Sequence, residues 1–89
     1  MKIVITVVGY DKVGIIAMVS GVLAENGVNI VNLDQNIVDG FFNMILIAEM
    51  DTAVIGLVDL QTLLSEKGRE MGLDIRTQHE GIFQAMHRI

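Results

Sequence analysis

Residues 9–16 read Gly-Tyr-Asp-Lys-Val-Gly-Ile-Ile and lie where an apolar strand pattern gives way to an apolar helical pattern. Before this segment, residues 2–8 are apolar at both alternating sets of positions, which is typical of a strand in the middle of a sheet. After it, apolar residues recur at helical spacing over residues 13–26, and Gly27 supplies the usual stop. The segment is therefore predicted to be a turn between a first strand and a first helix. The predicted core stripe of that helix is Ile15, Ile16, Val19, Val22 and Leu23.

A hairpin is predicted next. Residues 28–38 read as a second strand and residues 41–50 as a third, separated by Asp39-Gly40. Asp-Gly between two strand patterns is a strong signal for a two-residue turn, because both turn positions need positive φ. Strands two and three should therefore pair directly and run antiparallel.

The second half of the chain repeats the pattern of the first. Asp51 and Thr52 offer an N-cap for a helix that runs to about Met71, with Leu57, Leu60 and Leu64 on its apolar stripe. Residues 73–80 form a fourth predicted strand. A short final helix is predicted from apolar residues at helical spacing, namely Ile82, Phe83, Met86 and Ile89.

The two halves also share a local motif. Residues 26–30 read Asn-Gly-Val-Asn-Ile and residues 71–75 read Met-Gly-Leu-Asp-Ile, as expected if one βαβ unit occurs twice. The resulting order, βαββαβ, predicts an α+β, ferredoxin-like fold with a four-stranded antiparallel sheet and two helices on one face. With 89 residues, no proline and no linker-like stretch, the chain should form a single domain over residues 1–89.

Apolar residues occur on both faces of the predicted third strand. Residues 44–48 read Met-Ile-Leu-Ile-Ala, although helices can cover only one face of the sheet. Either the tail of the chain or a partner subunit must cover the other face. The composition, 52% hydrophobic with a mean hydropathy of +0.54, is high for so small a domain and predicts a homodimer or higher oligomer.

Composition also excludes several function classes. A net charge of −5 with only six Lys and Arg offers nothing to phosphates, so nucleic acid is not an expected partner. Without cysteine there are no disulfides and no thiolate chemistry, which agrees with a cytoplasmic location. No apolar run approaches the roughly 20 residues of a membrane span.

The first turn is the best candidate for a ligand site. A strand-to-helix turn exposes unpaired backbone N–H groups and the positive end of the helix dipole, so it can hold a carboxylate or phosphate. Gly14 lets another group approach that backbone closely. The alternative is purely structural, with Asp11 as an N-cap and Gly14 as part of a tight turn.

The second strand is unusually polar for its type. Its Asn and Asp side chains belong to residue types that are normally depleted in strands. They indicate either an edge strand that polar groups protect from aggregation or the lining of a site. The polar residues are Asn29, Asn32, Asp34, Gln35 and Asn36.

Three segments carry a family resemblance: residues 11–20 (DKVGIIAMVS), 27–30 (GVNI) and 33–35 (LDQ). Together they resemble an ACT domain, a small regulatory module that binds amino acids. Nearly the whole chain is covered, and the similarity is greatest to free-standing single-domain members of the glycine cleavage repressor-like and formyltetrahydrofolate deformylase-type branch. Many relatives have proline directly before the motif glycine, where this chain has Val13.

The resemblance implies an amino acid or similar small metabolite as ligand, a homodimer, and a separate regulated protein as partner. It implies no cofactor. Carried over residue by residue, it implicates Asp11, Gly14, Asn29, Ile30 and Gln35 in ligand binding.

Catalytic alternatives find little support in the residues. Ile15 and Ile16 stand where a phosphate loop needs Lys and Ser or Thr, and His79 and His87 have too few neighbouring ligands for a metal site. No serine has a histidine beside it to act as base. An acylphosphatase would share the topology but needs an arginine in the first turn, which holds only Lys12. The sequence thus predicts a non-enzymatic sensor without catalytic or metal residues, or alternatively a dimerisation module without a ligand.

Overall fold

The computed structural model describes residues 1–86 of the chain. The predicted end of the last helix at Ile89, and His87, therefore lie outside the described residues. In chain order the elements are β1 (Lys2–Tyr10), α1 (Ile15–Glu25), β2 (Asn29–Val38), β3 (Phe41–Glu49), α2 (Leu57–Glu70), β4 (Leu73–His79) and α3 (Glu80–Met86).

The strands form one antiparallel sheet in the order β2-β3-β1-β4. β1 is central and pairs with both β3 and β4, with Val7 opposite Met44 on one side and Ile75 on the other. This arrangement confirms the predicted α+β, ferredoxin-like fold.

The core lies between the sheet and the face of α1 and α2 that packs on it. Every second residue of β1, namely Ile3, Ile5 and Val7, has no exposed surface. α1 contributes buried residues at helical spacing, and α2 contributes Leu60 and Leu64. Burying these side chains is the main favourable term in folding, at roughly 25 cal/mol per Å² of apolar surface.

Glycines at positive φ close the predicted turns. Asp39 (φ 51°) and Gly40 (φ 79°) both adopt the left-handed conformation of a type I′ hairpin, which confirms the turn between β2 and β3. Gly27 (φ 70°) and Gly72 (φ 72°) follow the ends of α1 and α2 in the same way. The repeated motif in the sequence thus corresponds to a repeated helix ending.

The start of α2 differs from the prediction. The helix begins at Leu57 with Gly56 as its N-cap, and neither Asp51 nor Thr52 caps it. The Thr52 hydroxyl instead donates a hydrogen bond of 2.8 Å to the carbonyl oxygen of Gly27. A tertiary contact therefore takes the side chain that local sequence assigns to a helix cap.

Helices cover the two faces of the sheet unequally. α1 and α2 pack on one face, and the short α3 lies on the other, against β1 and β4. We call this second face the open face. Val4 faces that side and is only 3% exposed, and Gln78 beside it donates to the Met86 sulfur at 3.4 Å. The tail of the chain thus covers one part of the open face.

Candidate functional site

The turn between β1 and α1 forms backbone hydrogen bonds at its first and last residues but not between them. The backbone N–H of Asp11 donates to the Gly40 carbonyl at 2.7 Å, which fixes the start of the turn to the β2–β3 hairpin. Gly14 is the N-cap of α1 at φ 96°, and its carbonyl accepts from the N–H of Met18 at 2.9 Å. No side chain caps this helix, so Asp11 is not its N-cap.

The first turn of α1 therefore presents unpaired donors. Within the described part of the chain, the backbone N–H groups of Ile15, Ile16 and Ala17 have no acceptor. Such groups at a helix start carry a partial positive charge of about half an elementary charge. An anion placed against them would satisfy several donors at once.

A depression of about 300 Å³ lies directly at this helix start. Its polar walls are Asp11 and Lys12 from the turn and Gln35 from β2. Asp11, Lys12 and Gln35 are exposed, so their charges and amide are available to a ligand from solvent. Its other walls are apolar side chains and the backbone at Gly14. The residues that line it are Asp11, Lys12, Gly14, Ile15, Ile16, Ala17, Gln35, Ile37 and Phe42.

Gly14 suits this position for two reasons. Its φ of 96° lies in a region that residues with a Cβ rarely adopt. A methyl group there would meet only the Met71 Cε, at 4.0 Å, so the space in front of the glycine is open. A ligand can therefore reach the backbone of the turn without displacing protein atoms.

A β-bulge brings Gln35 to the site. Ile30 pairs with Ala48, but the next paired residue is Asn32, so Val31 is an extra residue in β2. Because one extra residue inverts the alternation, Gln35 faces the helices, as Ile30 does, and so do Leu33 and Ile37. The polar residues of β2 therefore lie on two faces of the sheet. The Gln35 amide lies near the helix start, and the others form a polar row on the open face. That row consists of Asn32, Asp34 and Asn36.

Asn29 and Ile30 lie elsewhere. Asn29 pairs with Glu49 at the far end of β2, beyond the end of α1, and Ile30 packs against the core. Gln35 is six positions further along the strand, which corresponds to roughly 20 Å at about 3.3 Å per residue. The structure therefore brings Asp11, Gly14 and Gln35 into one depression and leaves Asn29 and Ile30 outside it.

Five apolar members of the depression are absent from the site that the sequence predicts, namely Ile15, Ile16, Ala17, Ile37 and Phe42. Ile16 is predicted in the core stripe of α1 but is 37% exposed and lines the depression. Ile37 lies two positions after Gln35 in β2 and therefore shares its face of the sheet. Phe42 is the cross-strand partner of Ile37. Ile37 and Phe42 can be placed at the site only when it is known on which face of the sheet each residue of β2 lies, and the bulge determines this.

Other kinds of site find no support in residues 1–86. No group of at least three His, Cys, Asp or Glu side chains in this range is arranged to hold a metal ion. Over the same range, none of the helices has the length and apolar character that crossing a bilayer requires.

Comparison with known sequences identifies a regulatory family. The family model for the ACT domain matches residues 1–78. A UPF0237 protein of Clostridium perfringens is 49% identical over 89 residues, which is the full length of both chains.

Comparison with solved structures agrees. An ACT domain protein from Streptococcus pneumoniae superposes with a TM-score of 0.82 at 38% identity, and the match covers 98% of each chain. A formyltetrahydrofolate deformylase from Pseudomonas syringae gives a TM-score of 0.80 at 25% identity. That match covers 88% of this chain but 27% of the deformylase, so the fold here corresponds to one part of the larger protein.

Proposed function

The chain belongs to the ACT domain family, and from this premise we propose that it is a non-enzymatic regulatory module that binds an amino acid or similar small metabolite. In this proposal the protein works as a homodimer in the cytoplasm and acts on a separate protein. The observation that carries it is the depression at the start of α1, where free N–H groups, a carboxylate and an amide meet beside an apolar wall.

The charges favour a zwitterion. The N–H groups of Ile15, Ile16 and Ala17 attract a carboxylate, whereas the Asp11 carboxylate attracts an ammonium group. A plain anion would gain the first interaction and the attraction of Lys12, but it would be repelled by Asp11 and would bring no cationic group to that carboxylate. An amino acid satisfies both, because its carboxylate and amine are separated by one carbon atom.

The remaining lining sets what the side chain of the ligand meets. Ile16, Ile37 and Phe42 present apolar surface, and Gln35 can both donate and accept a hydrogen bond. We propose that the apolar wall receives the ligand side chain and that Gln35 fixes its orientation. A small amino acid has few heavy atoms, and at about 1 kcal/mol per atom less ordering costs, the affinity should be micromolar to millimolar.

The proposal is tested by titration calorimetry with the twenty amino acids at millimolar concentration. Asp11→Ala should weaken the binding of the selected amino acid by roughly tenfold or more, because a charge-assisted hydrogen bond contributes about 1.5–3 kcal/mol. Its melting temperature should stay close to that of the wild type, since the Asp11 side chain is exposed and has no partner within residues 1–86.

Asp34→Ala is the matched control. Asp34 is also an exposed aspartate, but it faces the open side of the sheet. This variant should bind the amino acid with unchanged affinity. Equal binding by wild type and Asp11→Ala, or binding to none of the amino acids, would contradict the proposed site.

The second candidate function is a dimerisation module without a ligand. The specific observation in its favour is the exposure of apolar side chains outside the depression, including Val13, which is fully exposed in the turn itself. A chain that forms dimers but binds none of the amino acids would support this alternative.

A further inference from the structure

A groove lies between helix α2 and the edge strand β4. The two edges of the sheet are β2 and β4, and the depression at the start of α1 is lined from β2, so the two sites lie at opposite edges. The groove has a volume of about 460 Å³, which is within the range of small-molecule sites. From α2 its lining includes Gln61, Glu66 and Arg69, and from β4 it includes Ile75, Arg76 and Thr77.

The backbone of β4 presents unpaired hydrogen-bond donors at this edge. The N–H of Met50 donates to the Met1 carbonyl, so odd-numbered residues of the first strand bond to β3 and even-numbered ones bond to β4. Even-numbered residues of β4 lie opposite even-numbered residues of β1, so the backbone groups of Ile75 and Thr77 point to the free edge. In residues 1–86 the N–H groups of Ile75 and Thr77 have no acceptor.

One backbone acceptor at the same edge is already occupied. The Gln61 side-chain amide donates a hydrogen bond of 2.7 Å to the Thr77 carbonyl. An extended peptide that paired with β4 would need this carbonyl as well as the N–H groups, so Gln61 opposes strand addition here. The free N–H groups remain, and they suit a small ligand that is rich in acceptors.

Thr77 also carries a hydroxyl group without a partner. The residue is only 5% exposed, and among the described residues nothing forms a hydrogen bond with its Oγ1. The neighbouring residues on the same face of β4, Leu73 and Ile75, belong to the apolar core. A valine would have nearly the same shape without an unsatisfied oxygen, so the fold alone does not account for threonine at this position. Rotation about χ1 can exchange the hydroxyl and methyl groups and turn the hydroxyl toward a ligand in the groove.

Two arginines flank these donors. Arg69 comes from α2 and Arg76 from β4, and both are exposed. The Arg76 Nε lies 3.3 Å from an Asp74 oxygen, but an ion pair so exposed contributes little to stability and leaves the two Nη groups available. Glu66 is the one acid among the described residues that line the groove. The lining therefore carries a net positive charge in a chain whose net charge is −5.

Gly68 brings α2 close to β4 beside these charges. A Cβ at this position would lie 2.6 Å from the Ile75 Cδ1, so any larger residue would have to displace the Ile75 side chain. Glycine in the interior of a helix is unfavourable compared with alanine. The close packing accounts for it, and it holds the adjacent Arg69 beside the free edge of β4.

This set of groups fits one phosphate group. Arginine binds phosphate oxygens through two parallel N–H bonds, and backbone N–H groups and hydroxyls are further donors to them. A phosphate dianion neutralises both arginines, whereas a single carboxylate neutralises one. The chain lacks the extended basic surface that a nucleic acid requires, but a single phosphate group needs only these local donors.

We propose that the groove between α2 and β4 binds a small phosphate monoester, with the phosphate group on Arg69, Arg76 and the N–H groups of Ile75 and Thr77. This site is separate from the proposed amino-acid site and does not depend on it.

NMR titration of the isotope-labelled chain with glycerol phosphate at constant ionic strength tests the site. The backbone amide signals of Ile75 and Thr77 should shift in a saturable manner, with a dissociation constant in the millimolar range or lower. The signals of Ile15 and Ile16 should shift less, because Asp11 repels a plain anion from the start of α1.

Charge variants test the arginine contact. Arg69→Gln should raise the dissociation constant by roughly fivefold or more, because a charge-assisted hydrogen bond is lost. Lys67→Gln is the matched control, since Lys67 is exposed on the same helix but does not line the groove, and it should leave the dissociation constant nearly unchanged. Glu66→Gln should lower the dissociation constant, because it removes the repelling charge from the lining.

Thr77→Val separates a ligand-binding role from a structural one. The variant removes an unsatisfied buried hydroxyl, so its melting temperature without ligand should equal or exceed that of the wild type. Its dissociation constant for glycerol phosphate should rise by roughly threefold or more, because the ligand loses one donor. An unchanged dissociation constant would show that the hydroxyl takes no part in binding and would contradict the proposed site.

Three further outcomes overturn the inference. The first is that the Ile75 and Thr77 signals do not shift, or that the shifts centre on the start of α1 instead. The second is an equal loss of affinity in Arg69→Gln and Lys67→Gln, which would indicate attraction to positive charge in general. The third is that acetate shifts the same signals as strongly as glycerol phosphate, which would contradict the preference for phosphate. Amino-acid binding, measured separately through Asp11→Ala, is unaffected by any of these outcomes.

Discussion

The two strand-to-helix junctions, residues 11–14 before α1 and residues 50–56 before α2, lie at opposite ends of the sheet and are built differently. The second junction is closed by contacts. Thr52 donates to the carbonyl of Gly27, and the N–H of Val54 donates to the carbonyl of Asn26 at 2.9 Å. Next to it, the amino group of Met1 lies within hydrogen-bonding distance of two carboxylates.

The first junction is open. A backbone hydrogen bond from Asp11 to Gly40 holds its start, and the donors of the first helical turn face a depression instead of protein acceptors. The same supersecondary unit therefore occurs once with a connecting loop that is hydrogen-bonded to a distant part of the chain and once with an open loop beside a depression. Both helices begin without a side-chain cap, so the open loop and the depression beside it are what separate the candidate ligand site from the structural junction.

Glycine substitution at the two ends should give the largest difference. In Gly27→Ala the new methyl group would lie 2.5 Å from the backbone oxygen of Thr52, at a φ of 70°, so both a clash and backbone strain arise. We expect a loss of about 3 kcal/mol or more in the free energy of unfolding. Gly14→Ala at the open junction has the backbone strain of a positive φ but no clash. We expect it to lose about 1–2 kcal/mol of the free energy of unfolding. Urea denaturation of both variants measures the difference, and equal losses would mean that the two junctions are equally packed.

The hairpin that anchors the open junction should be the next most sensitive position. Gly40 has φ 79°, and a Cβ added there would have no atom within 4 Å, so Gly40→Val is penalised by backbone strain alone. We expect a loss of about 1–2 kcal/mol, seen as a lower melting temperature. Because the Gly40 carbonyl holds the N–H of Asp11, amino-acid affinity should fall as well. A melting temperature equal to that of the wild type would show that this turn does not constrain the junction.

The fold follows from the sequence because its signals are local and repeated. The Asp39-Gly40 turn and the matching glycines after α1 and α2 fix where the chain reverses, and the apolar periodicities fix which faces meet. The predicted start of α2 is wrong because the Thr52 hydroxyl bonds to a residue 25 positions away, and local sequence contains no information about such a contact.

The candidate site is predictable only in part for a similar reason. Asp11 and Gly14 follow from the turn itself. The position of Gln35 depends on the bulge at Val31, which inverts the facing of everything after it in β2. Simple alternation would put Gln35 on the face opposite to Ile30. A single irregular residue thus decides which side chains of the polar strand reach the helix start.

The smallest expected effect concerns the ion pairs at the closed end. The amino group of Met1 lies 2.6 Å from a Glu49 carboxylate oxygen and 2.7 Å from an Asp51 one. Hydrogen bonding to Asp51, and then to Glu49, raises the pKa of the Met1 amino group, and the same contact lowers the pKa of Asp51. A raised amine pKa contributes stability below the ordinary value of about 8 that is lost as pH rises through the folded-state value. A lowered carboxyl pKa contributes stability above about 4 that is lost as pH falls through the folded-state value.

The stabilisation by this pair should therefore be complete between about pH 5 and 7 and decline on both sides. Asp51→Asn should lower the melting temperature slightly in that window and by less at a pH above the raised pKa of the Met1 amine, where the amine has lost its charge. The effect is small because the groups are exposed to solvent, and about 1 M salt should reduce it further. Asp11→Asn is the matched control at the open end, because Asp11 forms no ion pair within residues 1–86 and its substitution removes no such contact. A decrease near pH 6 that is the same for Asp51→Asn and Asp11→Asn would show that the closed end gains nothing from its charges, and that its hydrogen bonds and packing alone distinguish the two junctions.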